Sequence, residues 1–276
     1  MIKYIYICIA LSVSGTLCKA QYSSNSNTYE LYIFGGGSYY IGDLNPTAHF
    51  RHTEPAVGLG LRYIRNPRFA HRIGFWYGNL YGDDGSSHSD VLRVRNLNFQ
   101  TYVLELTAST EFNFVPFSPG DNDYSYFTPY IFGGIGVFHY DPVAYLNGDK
   151  YHLQNLRTEG KKYNLTQLAI PFGFGFKWAL SKHLNISLEW GLRKTYTDYI
   201  DDVSTVYPDP TTLGSAAAIA LSNRIIVFND INATPTSYVG RQRGDSKNKD
   251  WYSFTGIMLN IKLPSKEPPC PGVNNK

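Results

Sequence analysis

Between Gln167 and Leu180 the chain alternates without a break. Leu168, Ile170, Phe172, Phe174, Phe176, Trp178 and Leu180 form one set; Gln167, Ala169, Pro171, Gly173, Gly175, Lys177 and Ala179 form the other. Successive side chains of a strand point to opposite faces, so a period of two held this long specifies a strand. All the large apolar side chains fall on one face, and the other face is small or polar. A sheet with such a face has to bury it against a second sheet or against lipid.

Seven further segments read in a similar way. Leu184, Ile186, Leu188, Trp190 and Leu192 alternate with Asn185, Ser187, Glu189, Gly191 and Arg193. Tyr102, Leu104 and Leu106 alternate with Thr101, Val103, Glu105 and Thr107; Val57, Leu59, Leu61 and Tyr63 with Gly58, Gly60 and Arg62; Ile73, Phe75 and Tyr77 with Arg72, Gly74 and Trp76. Near the end, Ile257, Leu259, Ile261 and Leu263 alternate with Gly256, Met258, Asn260 and Lys262. Segments near 30–41 and 129–139 are Gly-rich, as at Gly35-Gly36-Gly37 and Gly133-Gly134, and a strand glycine marks a bend or a close backbone approach. Eight strands of this length suit a bilayer, which needs about nine to eleven tilted residues per strand.

The connections decide the architecture. Arg65 to Arg68 and Ser181 to His183 are tight, and Val115 to Tyr126 is moderate. Gly42 to Thr53, Gly82 to Asn96, Asp141 to Asn164 and Thr197 to Asp250 are long. Short and long connections therefore alternate along the chain, as in an up-and-down outer-membrane barrel with short periplasmic turns and long external loops. A β-sandwich has no reason to alternate them. The expected fold is all-β, an eight-stranded transmembrane barrel over residues 21–263.

The flanks agree. Met1-Ile2-Lys3, an apolar run from Tyr4 to Leu17, and Cys18-Lys19-Ala20 before Gln21 form a secretory signal over residues 1–20 with cleavage after Ala20. Residues 264–276 are a proline-rich periplasmic tail. Losing Lys3 and Lys19 with the signal brings a net charge of +3 close to neutral. With Cys8 and Cys18 gone, Cys270 stands alone, so no intramolecular disulfide forms. The balanced charge argues against a nucleic-acid partner. Aromatic residues reach 16%. Tyr39, Tyr40, Tyr63, Trp76, Tyr77, Tyr140, Trp178, Tyr196, Trp251 and Tyr252 lie near predicted strand ends, where rings sit well at a bilayer interface.

Eight strands enclose an interior that side chains fill, which disfavours a diffusion channel. Arg62, Arg72, Lys177, Arg193 and Lys262 are predicted inward, with Glu30, Glu105, Glu111 and Glu189. Such charges are tolerated inside only when paired, so they read as a salt-bridged plug rather than a gated ion path. No enzyme, cofactor, metal or small-molecule substrate is expected. His139, Ser187 and Ser253 lack the orienting third group that activates a serine. Asp198, Asp201 and Asp202 lack the Gly and distal Glu of an EF-hand and read as a capping or solvated acidic turn. Arg243-Gly244-Asp245-Ser246 spells an adhesion tetrapeptide, a weak match. Ser215 to Leu221 is Ala-rich and reads as a short helix. Asn164-Leu165-Thr166 and Asn185-Ile186-Ser187 match a glycosylation pattern that bacterial export makes irrelevant.

Several stretches together carry a family resemblance. They are Ser38-Tyr39-Tyr40-Ile41-Gly42-Asp43-Leu44-Asn45-Pro46, GLRYIRNPRFAHRIGFWYGNLYGDD from Gly60, EFNFVPF from Glu111, FTPYIFGGIGVF from Phe127, IPFGFGFKWAL from Ile170 and EWGLRKTYTDYIDDVST from Glu189. In order and spacing they resemble the PorG-like outer-membrane barrels of the Bacteroidetes type IX secretion system; the long loop Pro208 to Gly240 departs from that pattern. The resemblance implies a non-catalytic component of the bacterial outer membrane. It would dock a periplasmic ring built from a lipoprotein and its partner subunit, and sit in outer-membrane lipid. Candidate contacts on the periplasmic surfaces are Arg65, Pro67, Arg68, Lys182 and His183 in the turns and Lys266 and Pro269 in the tail. The alternative is a stand-alone OmpA-like structural or surface-adhesion barrel acting through its external loops.

Overall fold

The computed structural model describes residues 28–120, 124–225 and 238–264. The expected signal, most of the tail with Lys266 and Pro269, and the middle of the last loop lie outside the described residues. Eight long antiparallel strands run through the rest: β1 (Thr28–Ile41), β2 (Glu54–Ile64), β3 (Phe69–Asp83), β4 (Asn98–Asn113), β5 (Phe127–Tyr140), β8 (Thr166–Ala179), β9 (Leu184–Thr195) and β10 (Trp251–Lys262). They lie in the order β3-β2-β1-β10-β9-β8-β5-β4, and β3 pairs back onto β4. The sheet is therefore a closed eight-stranded barrel, and closure leaves these strands no free edge.

Side-chain parity matches the sequence pattern. Along β3, residues from Phe69 to Asp83 alternate strictly between exposed or half-exposed and buried. The outward set is apolar and bare: Ile73 is 62% exposed, Leu106 58%, Ile135 71% and Leu168 59%. Water would penalise so continuous an apolar belt, whereas a closed barrel in lipid satisfies every backbone group and buries the belt as well. No helix of the described residues is long and apolar enough to cross a membrane. The turn 64–69, the stretch 113–127 and the turn 179–184 gather at one end, with Thr28 and Pro264; the long loops gather at the other.

The interior is more aromatic than parity reasoning expects. Tyr32, Phe34, Trp76, Tyr130, Phe138, Tyr252 and Phe254 are almost fully buried among the inward side chains. Inward glycines make room for these rings. A Cβ on Gly60 would lie 2.5 Å from the Tyr32 hydroxyl, and one on Gly175 would lie 2.7 Å from the Tyr130 ring. The proposed aromatic belt therefore splits. Tyr77, Trp178 and Tyr196 are exposed on the outside, and Tyr63 packs against Tyr29 at the turn end with tilted rings, 5.3 Å between centroids. Tyr40, Trp76, Tyr140 and Tyr252 are buried, because their parity turns them inward. Tyr39 has outward parity but is covered: Phe50 packs 5.0 Å from it and Trp190 Nε1 donates to its hydroxyl at 2.8 Å.

Two strands were not expected. Within the stretch read as the loop Asp141 to Asn164, β6 (Val143–Leu146) and β7 (Asp149–His152) form a hairpin. Asn147 (φ 54°) and Gly148 (φ 92°) both take positive φ, as a two-residue hairpin turn requires. The hairpin attaches through Gln100 and Val143 to the part of β4 that extends beyond its pairing with β5. In the last loop, the Ala-rich run is a helix, Ala216–Ser222, with the Ser215 hydroxyl accepting from the Ala218 N–H.

Candidate functional site

The lumen holds a six-residue ion network and one separate ion pair. Arg62 reaches Glu30 at 2.9 Å and Glu111 at 3.0 Å. Lys177 meets Glu111 at 2.5 Å, and Arg72 lies 3.2 Å from it. Arg72 also grips Glu189 with both terminal nitrogens, at 2.6 and 3.0 Å. Nearer the external end, Arg193 meets Glu105 at 3.2 Å. All eight side chains are buried. Aromatic faces cover the cations: Phe132 lies 4.4 Å from the Arg72 guanidinium and Phe254 4.6 Å from that of Arg193. Lys262, expected in this network, is only half-buried and takes no part in the ion pairs of the described residues. Opposite Glu30 at the last rung of β10, it is close enough to the barrel end for water to solvate it. The remaining lumen charges balance, four carboxylates to four cations.

At the turn end the barrel is stoppered. Phe117 is 4% exposed beneath the lumen, and its N–H donates to Pro67 O at 3.0 Å. The Asn113 side chain donates to the same carbonyl. The gap between Phe117, Lys177 and Arg62 is about 10 Å³. That is near the lower limit for a single water. Around this stopper, Arg65, Arg68, Lys182 and His183 are exposed, and Pro67 is half-buried. The Arg68 guanidinium donates to Phe114 O at 2.8 Å, so the turns are tied together.

The loop end carries a second polar cluster. Glu159 accepts from Arg243 at 2.9 Å and from the Ser204 and Thr205 N–H groups. Arg243 also donates to Ser222 O and Asp202 O. Arg95 pairs with Asp84 at 2.6 Å and donates to Arg243 O and Asp43 O. The Tyr40 hydroxyl lies 2.6 Å from Asp201 and 2.8 Å from Asp250. Residues from all four long loops are thereby bound into one cap over the barrel. Asp198, Asp201 and Asp202, read from sequence as a capping or solvated turn, are at most 3% exposed. Asp198 binds the Ser204 hydroxyl at 2.7 Å; Asp202 takes the Tyr163 hydroxyl at 2.7 Å and that of Thr158.

This cluster is short of cations. Among the described residues, six buried carboxylates (Asp84, Glu159, Asp198, Asp201, Asp202 and Asp250) face two buried arginines, Arg95 and Arg243, and the exposed Lys249, which lies 4.0 Å from Asp198. Burial raises the acids accordingly: Asp198 to about 7, Asp202 to about 6 and half-buried Asp43 to about 6. Asp201 and Asp250 go well above the usual carboxylate range, first through burial and then through a nearby carboxylate, that of Asp250 for Asp201 and that of Asp198 for Asp250. The Tyr40 hydroxyl has one proton for two acidic neighbours, so the second contact calls for a proton on a carboxyl. Among the described residues, no group of three or more His, Cys, Asp or Glu is arranged to hold a metal ion.

The other sequence candidates fall apart in space. Arg243 of the tetrapeptide is 3% exposed and spent inside the cap, so an adhesion receptor cannot reach it. His139 is half-buried on the outer wall against Thr166, 2.9 Å away. Ser187 accepts from Asn260 at 2.9 Å, and Ser253 donates to Gly191 O at 2.9 Å, both fully buried. No serine–histidine pair forms among these three. Asn185 faces the lumen and donates to Glu30.

Comparison with known proteins places the chain by sequence. The profile described as "Domain of unknown function (DUF6089)" matches residues 10–232. The chain belongs to the DUF6089 family. No protein of curated function matches it in sequence. Solved barrels similar to this DUF6089 chain include Neisserial surface protein A, at 8% identity and TM-score 0.41 over 85% of this chain and 97% of that one. The attachment invasion locus protein of Yersinia pestis is 9% identical with TM-score 0.40, over 86% and 99%. OprG of Pseudomonas aeruginosa is 13% identical with TM-score 0.40, over 87% and 98%. At these scores the likeness assigns no activity.

Proposed function

We propose that this DUF6089 barrel is a non-catalytic outer-membrane component of the type IX protein secretion machinery, docking the periplasmic ring at the outer membrane. The observation that carries the reading is a lumen closed by its own ion network and by Phe117, beneath which rigid short turns hold out Arg65, Arg68 and Lys182. A barrel so filled has no path for solutes, which leaves contact with a partner as its work. The turns supply an exposed cationic surface facing the periplasm. The choice of partner, a ring-forming lipoprotein and its companion subunit, comes from the sequence resemblance.

The test is a gentle-detergent pull-down from outer membranes, with the co-purifying proteins identified by mass spectrometry. Recovery of a ring-forming lipoprotein and its partner is expected, and Arg65→Glu with Arg68→Glu and Lys182→Glu should release them while the barrel still shifts on heating. A barrel that carries only lipid overturns the secretion reading. A second reading has its own support: the bonded cap of all four external loops suits a surface barrel acting outside the cell. Replacement of the loop between Pro208 and Gly240 by a short linker separates the two, because only the surface reading loses function.

A further inference from the structure

Outside the barrel wall, at the loop end, lies a cleft that neither reading uses. β4 runs higher than β5 here, and the β6–β7 hairpin stands beside the outward faces of β3 and β4. The space between measures about 440 Å³. Small-ligand pockets span roughly 300–1,000 Å³. Tyr77, Gln100 and Tyr102 of the barrel wall line it, with Glu54 at the start of β2 and Lys150 and His152 of the hairpin. Ladder pairing and the Asn147–Gly148 turn fix the walls, so the cleft is formed before any ligand arrives.

Its height on the barrel restricts what it meets. The next outward residues toward the membrane are Phe75 on β3 and Leu104 and Leu106 on β4, part of the apolar belt. The cleft thus opens at the level of outer-leaflet headgroups, above the acyl chains. Its chemistry is mixed. Glu54 accepts, Lys150 donates, and the Gln100 amide and Tyr102 hydroxyl do both. None of these four side chains bonds to another described residue. His152 is held by Asp141 at 2.7 Å, which fixes the ring that faces the cleft. Two carboxylates against one lysine disfavour a phosphate. Alternating hydroxyls with apolar C–H faces suit the lining instead, since the tyrosine rings offer flat apolar platforms beside polar groups.

We propose that this cleft binds a sugar of the saccharide headgroup of an outer-leaflet glycolipid. The inference rests on the barrel's placement in an outer membrane and is independent of the secretion role. The whole protein, folded in lauryldimethylamine oxide micelles, is titrated calorimetrically with delipidated core oligosaccharide released from lipopolysaccharide. Saturable binding is expected, weakened at least tenfold by Tyr102→Ala and by Gln100→Ala with Glu54→Ala. Leu188→Ala, exposed in the belt away from the cleft, should bind as the wild type does. A heat-modifiable gel shift in every variant shows that the barrel is folded. Absence of binding by folded protein overturns the proposal, as does equal affinity in the cleft variants. Competition by inorganic phosphate at equal concentration overturns the assignment to a sugar.

Discussion

The lumen and the external cap both bury charge, and they balance it differently. In the lumen, Glu30, Glu105, Glu111 and Glu189 meet Arg62, Arg72, Lys177 and Arg193 one for one, each cation within 3.2 Å of a carboxylate. In the described part of the cap, six buried carboxylates share two buried arginines and one exposed lysine, and hydroxyls and backbone N–H groups make up the difference. Burial tolerates a charge only when it is paired, neutralised or fully hydrogen-bonded. The lumen takes the first route with side chains built into the strands. The cap takes the second and borrows protons from solvent, which ties its integrity to pH.

The largest effect should come from breaking the lumen at its hub. Glu111 touches Arg62, Arg72 and Lys177, so Glu111→Ala leaves three buried cations sharing the remaining acids. Removing one partner of a buried pair costs about 3–5 kcal/mol, and the urea midpoint of the heat-modifiable band should fall accordingly. A midpoint within experimental error of the wild type would show that the lumen does not depend on matched charge. In the cap, Arg243→Met strips Glu159 of its cation and the Ser222 and Asp202 carbonyls of the last loop of their shared donor. The loss should stay local: proteases cut the loops faster while the barrel midpoint holds. A barrel midpoint that falls as far as for Glu111→Ala would mean the two regions are one cooperative unit.

The contrast also explains what the sequence discloses. Strand parity is local, so period-two counting places Arg62, Arg72, Glu105, Lys177, Glu189 and Arg193 inward before any contact is known. It misreads Lys262, because parity cannot tell a middle rung from the last one. It also underrates rings such as Tyr32, Phe132 and Phe254, since a rule that sends large apolar side chains to lipid has no place for rings that cover cations inside. The cap is built from contacts far apart in sequence. Tyr40 and Asp250 are 210 positions apart, and Arg95 reaches Arg243 across 148. No spacing rule reaches that far, so Asp201 and Asp202 look like a solvated turn until four loops close over them. The Asn147-Gly148 hairpin is missed inside a stretch read as loop, although that dipeptide carries its own turn geometry.

Tyr40 tests the cap at single-hydroxyl scale. Tyr40→Phe removes the group lying between Asp201 and Asp250 and leaves two buried carboxyls to share what remains, at a cost of about 1–3 kcal/mol to the cap. Smaller still, and graded, is the response to pH. Asp198, Asp202 and Asp43 have folded values of about 7, 6 and 6, above an ordinary value of 3.8. The folded cap therefore binds more protons than the open loops, and stability falls as pH rises. The contribution is complete below about pH 4 and is lost as pH climbs through 6 to 7. Limited proteolysis at pH 5 and pH 8, with the barrel band as internal reference, should show slower loop cutting at pH 5. Faster cutting at pH 5 would mean that the carboxylates are ionised in the folded cap and that some cation balances them, which would erase the difference between cap and lumen.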